Sequence, residues 1–456
     1  MIPHGLFSLA LAAASAALGG AGHRNTTDYS IPHEKYVLPS NGLEVILAPD
    51  HSLPIVAVNI WYHAGPINEA QGRTGFAHLF EHLMFQGSQH VGDDQHIKWL
   101  EAAGASMING TTSYDRTNYF ETLPASQLPL ALWLESDRMG FLQEALTQDK
   151  LDNQRQVVQN ERRQSVENVP YGPSDEKLVQ TLLPPGHPYY GNVIGSMEDL
   201  NAATLDDVRD FYRRYYAPAN ATLVVAGDYD EQEVKPLVDK YFGTLGRRSA
   251  PTAAEITTPV LTAERRVTVS EPVSLARVSW AWVSPAAYTQ EDAECDILAF
   301  VLGHGVSSRL YQKLVHELGL AQDVSVYQES LALGSMFVLT ATARPGVDLQ
   351  TLEEQAQKVV DELKQNPPLP REVERARNQL MTEQLVGLQR IGGFGGRADL
   401  LNRYNQYVGK TDYLAADLQR YQRVTPADVS QRASALLRRE ARAVVLTVPS
   451  GQGERG

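Results

Sequence analysis

Apolar and polar positions along the chain form a pattern that recurs roughly 220 residues later. The segment TLDDVRDFYRRYYAPANATLVVAGD, from Thr204, aligns without gaps with TPADVSQRASALLRREARAVVLTVP, from Thr425. Each opens on a helix-capping threonine, continues with helical periodicity and ends in a β-branched run, which predicts a helix followed by a strand. The alternating runs VAVNIWYHAGP, from Val56, and ARVSWAWVSPA, from Ala276, correspond at an offset of 220. We therefore predict one domain of about 220 residues that has been duplicated.

Within each half, helices and strands are mixed. In the first half, Asn41 and Gly42 separate two extended runs and predict a hairpin, and a third strand is predicted at 55–63. The segment ASMINGTTSYDRTNYFETL predicts a second pair of strands, and a long polar helix is predicted at 147–168. This order favours an α+β fold with short-range hairpins over a parallel Rossmann sheet.

The boundaries of the two predicted domains follow from the repeat. The stretch SAPTAAEITTPVLT, residues 249–262, predicts a linker between an N-terminal domain at 25–248 and a C-terminal domain at 263–456. Residues 1–24 are set apart, because LFSLALAAASAALGGA, at 6–21, is apolar and rich in small residues. This stretch indicates an export signal, although no Lys or Arg precedes it, and a disordered tail is the alternative. We predict a periplasmic or secreted location, with a cytoplasmic one as the alternative, and no stable membrane span.

Composition excludes some classes of function. The 456 residues are 43% hydrophobic and 21% charged, as in globular proteins, and the length predicts two domains or more. The formal net charge of -14 argues against nucleic-acid binding, which needs basic surfaces, and favours basic peptides or cations as ligands. Cys295 is the only cysteine, so the chain has no internal disulfide and no cysteine-based metal cluster.

The segment FAHLFEHLMFQGS, residues 76–88, combines an apolar helix with three titratable side chains. His78 and His82 lie one turn apart on one face and can take adjacent positions around a tetrahedral Zn²⁺. Glu81 shares that sector without being needed as a ligand, which suits a general base that activates water. The pattern is H-x-x-E-H. A helix with two hydrogen-bonded core histidines is the alternative interpretation. The candidate for the third ligand of a catalytic zinc is Glu161, on the predicted polar helix.

Three motifs in order, GFAHLFEHLMFQGS, NGTTSYDRTNYFETLP and VVQNERRQSVENVPYG, resemble the insulinase–pitrilysin (inverzincin) metallopeptidases. The nearest resemblance is to the bacterial branch related to mitochondrial processing peptidase, and it runs from near Tyr36 to the chain end. It implies two homologous α+β domains, each a mainly antiparallel sheet flanked by helices, which together form half of a clamshell. It also implies a zinc-dependent endopeptidase with one Zn²⁺ per chain. The implied zinc ligands are His78, His82 and Glu161. The implied general base is Glu81.

The resemblance also points to residues around the metal. Many members of the family have an acidic residue seven positions before the glutamate ligand, where this chain has Gln154. Gln154 is expected to orient a ligand by hydrogen bonding, as a second-shell residue. The family pairs its peptide substrate with an edge strand, which corresponds to ASMINGTT, residues 105–112. Asn109 and Gly110 would bind substrate beside the cleaved bond, and a simple turn is the alternative interpretation of this Asn-Gly pair.

The second half departs from the first at the metal positions. Its counterpart of the zinc helix is DILAFVLGHGVSSRLYQKL, in which Ala299, Leu302 and Gly303 stand where the metal residues were. No metal site is therefore expected there. In the family this domain supplies an arginine and, seven positions on, a tyrosine that reach the substrate. Here those positions are Val315 and Gln322, so both groups are lost.

These losses leave several interpretations of the function. In the first, the chain is the zinc-bearing subunit of a heterodimer that hydrolyses unfolded peptides in a closed chamber. Its homologous partner would supply the arginine and the tyrosine, because a peptidase needs oriented groups besides the metal. A non-catalytic zinc-binding assembly or peptide-binding subunit is the alternative. A self-sufficient homodimer would need other substrate groups, and Arg309 and Tyr327 are nearby but out of register. The glycine-rich stretch RIGGFGG, residues 390–396, is predicted to be a flexible connection between helices.

Overall fold

The structure is a computed structural model, which describes residues 29–252 and 256–450. The predicted export signal or tail at 1–24 lies outside the described residues. The strands of the first half are β1 (Glu34–Val37), β2 (Glu44–Pro49), β3 (Ile55–Tyr62), β4 (Ser106–Ser113), β5 (Arg116–Pro124) and β6 (Ala221–Gly227). Its helices are α1 (Phe76–Leu83), α2 (Gln95–Ala102), α3 (Leu128–Phe141), α4 (Gln148–Arg162), α5 (Gly172–Leu182), α6 (Met197–Ala202), α7 (Leu205–Tyr215) and α8 (Glu231–Phe242).

The second half has the same kinds of element. Its strands are β7 (Arg265–Glu271), β8 (Arg277–Ser284), β9 (Ala321–Glu329), β10 (Ser335–Ala343) and β11 (Arg442–Pro449). Its helices are α9 (Gln290–Gly303), α10 (Leu349–Gln365), α11 (Pro370–Gly387), α12 (Arg397–Val408), α13 (Leu414–Arg423) and α14 (Pro426–Leu436). Both predicted hairpins of the first half, the third strand and the long polar helix are therefore confirmed.

Two mainly antiparallel sheets organise the fold. The first sheet has the strand order β1-β2-β6-β3-β5-β4 and the second has the order β7-β11-β8-β10-β9. One neighbouring pair in each sheet is parallel, β2 with β6 and β7 with β11, and the remaining neighbours are antiparallel. The predicted α+β class is confirmed, and β4 lies at an edge of the first sheet.

The pairing register of the sheets bears out the duplication. In the first sheet Asn59 of β3 pairs with Val224 of β6. In the second sheet Ser279 of β8 pairs with Val445 of β11. These residues are related by the offsets of 220 and 221 that the sequence repeat contains. The helices before β6 and β11 also begin alike, since each has a capping box on the threonine that precedes it.

Each half contributes a helix to the sheet of the other half. Helix α12 packs on β3 and β6, where Leu401 and Tyr404 share a core cluster with Val224. Helix α5 packs on the second sheet, where Leu178 and Leu182 join its core. The two halves are thus interlocked across the predicted linker, and the linear domain boundaries stay a prediction.

Among the helices of the described residues, none has both the length and the apolar content needed to cross a bilayer.

Candidate metal centre

Helix α1 is anchored at its N-terminus by a buried carboxylate. Glu69 accepts hydrogen bonds from the backbone N–H groups of Gly75, at 3.1 Å, and Ala77, at 2.8 Å. Burial raises the pKa of Glu69 to about 7, against the opposing effect of these two donors. Gly75 has a φ of 84°, in the left-handed region that glycine adopts without strain. The chain can therefore turn sharply into the helix that carries the predicted metal ligands.

The apolar side chains of α1 hold it against the core of the first half. The buried members of this set are Phe76, Ala77, Leu79, Phe80 and Leu83. His78 and His82 are half-buried on another face, with ring centroids 4.8 Å apart. Because the core fixes the rotation of the helix about its axis, it also fixes the direction in which both imidazoles point.

Helix α4 packs against α1 and brings Glu161 to the two imidazoles. The Oε2 atom of Glu161 lies 3.3 Å from His78 Nε2 and 3.2 Å from His82 Nε2. One ligand atom from each of the three residues lies within 4.8 Å of the others. Ligands at 2.0–2.1 Å around a tetrahedral Zn²⁺ are separated from one another by about 3.3 Å. The two carboxylate–imidazole separations and the donor types of this cluster therefore fit a zinc ion.

Hydrogen bonds within the cluster shift the pKa values of Glu161 and His78. The hydrogen bonds from His78 and His82 lower the pKa of the Glu161 carboxyl well below its usual range. Burial lowers the pKa of His78, but hydrogen bonds to Glu161 and Glu81 outweigh burial and raise that pKa to about 9. A metal ligand must be a neutral imidazole, so zinc binding would release the proton of His78 and replace its ion pair with Glu161.

The end of α4 is fixed beside Glu161 by the next residue. Arg162 forms an ion pair with Glu176, at 2.8 Å, and donates a hydrogen bond to the backbone oxygen of Gly195, at 2.6 Å. The chain then continues into a π-helical turn, Arg163–Glu167. π-Helical turns are rare and are often found at functional sites. Glu161 is thus held on a helix whose C-terminal end is tied to neighbouring segments.

Glu81 is buried next to the three clustered residues and is held by the edge strand. Its Oε2 atom accepts a hydrogen bond from the hydroxyl of Thr112, at 2.6 Å, and lies 3.4 Å from His78 Nδ1. A Cβ atom placed on Gly110 would lie 3.1 Å from Glu81 Cγ and 3.0 Å from the ring of Phe85. The predicted base therefore lies against β4 itself, at a position where a side chain larger than glycine would crowd it.

Replacing Thr112 with valine is expected to lower kcat by about 10-fold with zinc content and KM unchanged. Valine keeps the shape but cannot donate to the Glu81 carboxylate, and a hydrogen bond to a charged group contributes about 1.5–3 kcal/mol. The measurement is steady-state peptide hydrolysis at matched zinc content. The control is Thr111→Val, because Thr111 donates to Asn118 instead of Glu81. Equal turnover in wild type and Thr112→Val would contradict a positioning role for this hydroxyl.

The residues predicted to bind substrate lie on the exposed edge of the first sheet. Asn109 is exposed within β4, and its side-chain oxygen accepts a hydrogen bond from the backbone N–H of Gly110, at 2.9 Å. Both residues pair with β5, and the turn of this hairpin comes later, at Tyr114 and Asp115. The interpretation of Asn109-Gly110 as a simple turn is therefore wrong, and their role in substrate binding stays a prediction.

The hydrogen bond found for Gln154 does not involve the predicted zinc ligands. Gln154 is buried on α4, and its amide donates to the side chain of Asn153, at 3.4 Å. Its expected role in orienting a ligand stays a prediction. Two residues that the sequence pattern did not indicate also support this region: Thr112 donates to the predicted base, and Glu69 binds the start of α1.

The counterpart helix in the second half, α9, has no room for a metal ligand. Ala299, Leu302 and Gly303 are all buried there. A Cβ atom on Gly303, which corresponds to His82, would lie 2.2 Å from Val326 Cγ2 on β9. In residues 29–252 and 256–450, His78, His82 and Glu161 form the only group of this kind that could hold a metal.

The positions expected to lack the arginine and the tyrosine are also placed by the structure. Val315 is buried in a π-helical turn, Tyr311–Glu317, and Gln322 is exposed on the edge strand β9. The nearby Arg309 is bound to both carboxylate oxygens of Glu372, at 3.0 Å each. Arg309 is therefore engaged within its own half.

Comparison with known proteins assigns both halves of the chain to one family. Residues 44–182 match the sequence profile described as Insulinase (Peptidase family M16). Residues 202–380 match the profile described as Peptidase M16 inactive domain. The second match includes α9, the counterpart of α1, and its described residues contain no metal-ligand group.

Individual relatives agree with this assignment. The chain is 30% identical to the zinc protease PqqE of Helicobacter pylori over 401 residues, which cover 87% of this chain and 88% of that protein. A crystal structure of a protease from Helicobacter pylori superposes with a TM-score of 0.85 at 27% identity, covering 92% of this chain and 100% of that one. The first half of the periplasmic protease PqqL from Escherichia coli has the same fold, with a TM-score of 0.74, 19% identity, and coverage of 92% and 93%. The chain belongs to the insulinase family of metallopeptidases, family M16.

Proposed function

We propose that the chain is the zinc-bearing subunit of an endopeptidase that hydrolyses unfolded peptides. His78, His82 and Glu161 would hold one Zn²⁺, and Glu81 would act as the general base. The observation that carries this proposal is the convergence of two imidazoles and a carboxylate at one point. A second carboxylate, which is buried, lies beside them, and an edge strand with one unpaired side lies next to it. A zinc ion bound there supplies the Lewis acid that polarises the peptide carbonyl and favours attack by water.

Residues of the chain itself would bind the peptide and transfer the protons. An extended peptide adds to β4 through main-chain hydrogen bonds, which need little sequence preference. Glu81 takes a proton from the attacking water as the new C–O bond forms at the carbonyl carbon. Glu81 then gives that proton to the amide nitrogen as the C–N bond breaks, and two peptides leave. Thr112 keeps the carboxylate in place during both transfers.

A homologous partner would complete the site. Val315 and Gln322 stand where the family has its arginine and tyrosine, and Arg309 is engaged by Glu372. The whole protease PqqL supports a two-half arrangement, because this chain covers 48% of that structure. The proposed partner is a homologous subunit that lacks H-x-x-E-H but has both substrate-binding groups, in a heterodimer.

The purified chain alone is expected to contain zinc but to hydrolyse peptides weakly or not at all. Adding the partner should give activity that chelators remove, since the oriented groups that stabilise the transition state then come from the second subunit. The measurement is cleavage of an unstructured peptide by the chain, the partner and the mixture, with zinc content determined for each. Full activity of the chain freed of its partner would exclude the heterodimer.

A gain-of-function variant provides a second check on this proposal. Val315→Arg with Gln322→Tyr should give the lone chain some activity if it self-associates. Val315 is only 8% exposed, so the arginine is expected to lower stability, and thermal unfolding is measured alongside. Gln322→Tyr alone, at an exposed position, serves as the control for folding.

The second candidate is a non-catalytic zinc-binding subunit. It would either assemble with a larger complex or bind peptides for that complex. The missing arginine–tyrosine pair favours it. This function would be favoured if the chain contains zinc but no mixture of the chain with a partner hydrolyses peptides.

Substrate class and location complete the proposal. Enclosure in a chamber would admit unfolded peptides and exclude folded proteins, and the net charge of -14 favours basic peptides. A periplasmic or secreted location is supported by the apolar stretch at 6–21 and by the periplasmic description of PqqL.

A further inference from the structure

The glycine-rich stretch at 390–396 is a hydrogen-bonded turn that belongs to the second half of the chain but lies on the first sheet. The side chain of Arg390 donates to the backbone oxygen of Phe394, at 2.8 Å. The backbone N–H of Gly395 donates to the carboxylate of Asp399, at 3.0 Å. The prediction of a flexible connection does not account for this turn, whose backbone is tied at several points.

The turn is seated against strands β4 and β5. A Cβ atom on Gly393 would lie 2.4 Å from Met107 Cε. The ring of Phe394 packs edge-on against Phe120, with centroids 5.0 Å apart and planes at 80°. Gly393 has a φ of 73°, in the left-handed region that favours glycine, and the end of the Met107 side chain lies directly against it. The sequence of the turn thus places one large apolar side chain, that of Phe394, on β5, the neighbour of the edge strand.

The exposed side chains of Met107 and Phe394, linked by the approach of Gly393 to Met107, are called the apolar shelf. Met107 is 45% exposed and Phe394 is 52% exposed, whereas the supporting Phe120 is buried. Met107 lies in an irregular stretch of β4, between Ser106 and Asn109, with a φ of 55°. A non-glycine residue in the left-handed region is strained, and such strain is found most often at functional sites. An edge strand has backbone groups free to pair with a further strand, and apolar groups beside it are available to contact what pairs there.

The position of the shelf relative to Glu81 defines what it can contact. Gly110 and Thr112 face Glu81 from β4, so the cleaved bond of a paired peptide lies beside them. Met107 precedes Gly110 by three residues, about 10 Å along a strand. Side chains of a paired peptide alternate between the two faces of the sheet. A peptide on β4 therefore directs a side chain toward the shelf, about three residues from the cleaved bond.

We propose that Met107 and Phe394 form a subsite that selects a large apolar side chain of the bound peptide, aliphatic or aromatic, about three residues from the cleaved bond. This inference rests on the proposed function and adds the substrate class to it. The occupant is the peptide itself, because the shelf is continuous with the edge strand on which the peptide would pair. Selection would come from the second half of the chain acting on a peptide held by the first.

The test measures binding to the zinc-loaded Glu81→Gln chain in its purified assembly with the partner. The probes are fluorescein-labelled unfolded peptides that differ at one position, with leucine or serine placed in turn along the sequence. Leucine is expected to bind about 10-fold more tightly at a single position, since an apolar contact of this size discriminates by 10–200-fold. In Phe394→Ser this preference should shrink to about twofold, and Phe394→Leu should retain it. Val306→Ser, at another exposed apolar residue of the second half, should leave it unchanged.

The outcomes separate the subsite from the proposed function. Peptide binding without a leucine preference, or a preference that Phe394→Ser leaves intact, would overturn the subsite while the peptidase proposal stands. If Phe394→Ser binds peptides as before but no longer assembles with the partner, as measured by light scattering, the shelf is a subunit contact. This result would overturn the subsite. Failure of every peptide to bind, together with absence of cleavage by the wild-type assembly, would overturn both.

Discussion

Replacing His82 with alanine is expected to lower zinc affinity by more than 100-fold and to abolish peptide hydrolysis. The change leaves His78 and Glu161 as the only protein ligands of the proposed site, whose ligand atoms lie within 4.8 Å of one another in the native chain. Loss of residues that merely support a metal ligand already reduces affinity by about 10–100-fold, so loss of a ligand should exceed that range. The metal is measured by mass spectrometry after dialysis, and activity is measured on the same samples.

The control for this prediction is another histidine of the same half. His51 is exposed and forms a hydrogen-bonded pair with Asp228, at 2.7 Å. His51→Ala should keep its full zinc content, because that pair is not part of the metal cluster. Undiminished zinc in His82→Ala would defeat the assignment and favour the interpretation of the two α1 histidines as core residues that are satisfied by Glu161.

The two histidines and Glu81 could be predicted from the sequence because the information is local. An α-helix places residues four apart on one face, so the spacing of His78 and His82 alone brings two imidazoles together. Glu161 is different, because its approach depends on the packing of α4 against α1, and α2, β4, β5 and α3 lie between these two helices in the chain. The residue pattern showed that a polar helix follows the hairpin, and the resemblance to the family identified which of its carboxylates turns inward.

The duplicated fold could also be predicted from the sequence, but the exchange of helices could not. Hairpins, caps and alternating strands are properties of short segments. The pairing of Asn59 with Val224 in the first sheet recurs in the second sheet as the pairing of Ser279 with Val445. Helices α5 and α12 carry apolar faces that predict burial. An apolar face is non-directional, so it does not specify which of two similar sheets will cover it.

The supporting contacts of the site were missed for a related reason. Alternation along β4 places Gly110 and Thr112 on one face, but only the packing of β4 against α1 makes that face meet Glu81. The glycine turn at 390–396 is a further case, because 280 residues or more separate it from Met107. Such long-range contacts depend on the complete fold and leave little trace in the local residue pattern.

The zinc-loaded Glu81→Gln variant is expected to turn over peptides about 10²–10⁴-fold more slowly than the wild type, which is the range that general base catalysis contributes. Glutamine has the shape of glutamate, and its side-chain oxygen can still accept the hydrogen bond from Thr112. The neutral amide cannot take a proton from water at neutral pH. The loss should therefore appear in kcat, while zinc content and peptide affinity stay close to those of the wild type.

A matched control separates this effect from a general loss of charge. Glu101 is an exposed glutamate of the same half, at the end of α2, and Glu101→Gln should have wild-type turnover. All three proteins are compared with the same partner, at equal zinc content, by single-turnover cleavage and by binding of an uncleaved peptide. Near-normal turnover in zinc-loaded Glu81→Gln would reject Glu81 as the base, and the proton would then have to be accepted elsewhere. Low turnover with low zinc would instead mean that Glu81 helps to hold the metal, through its contact with His78.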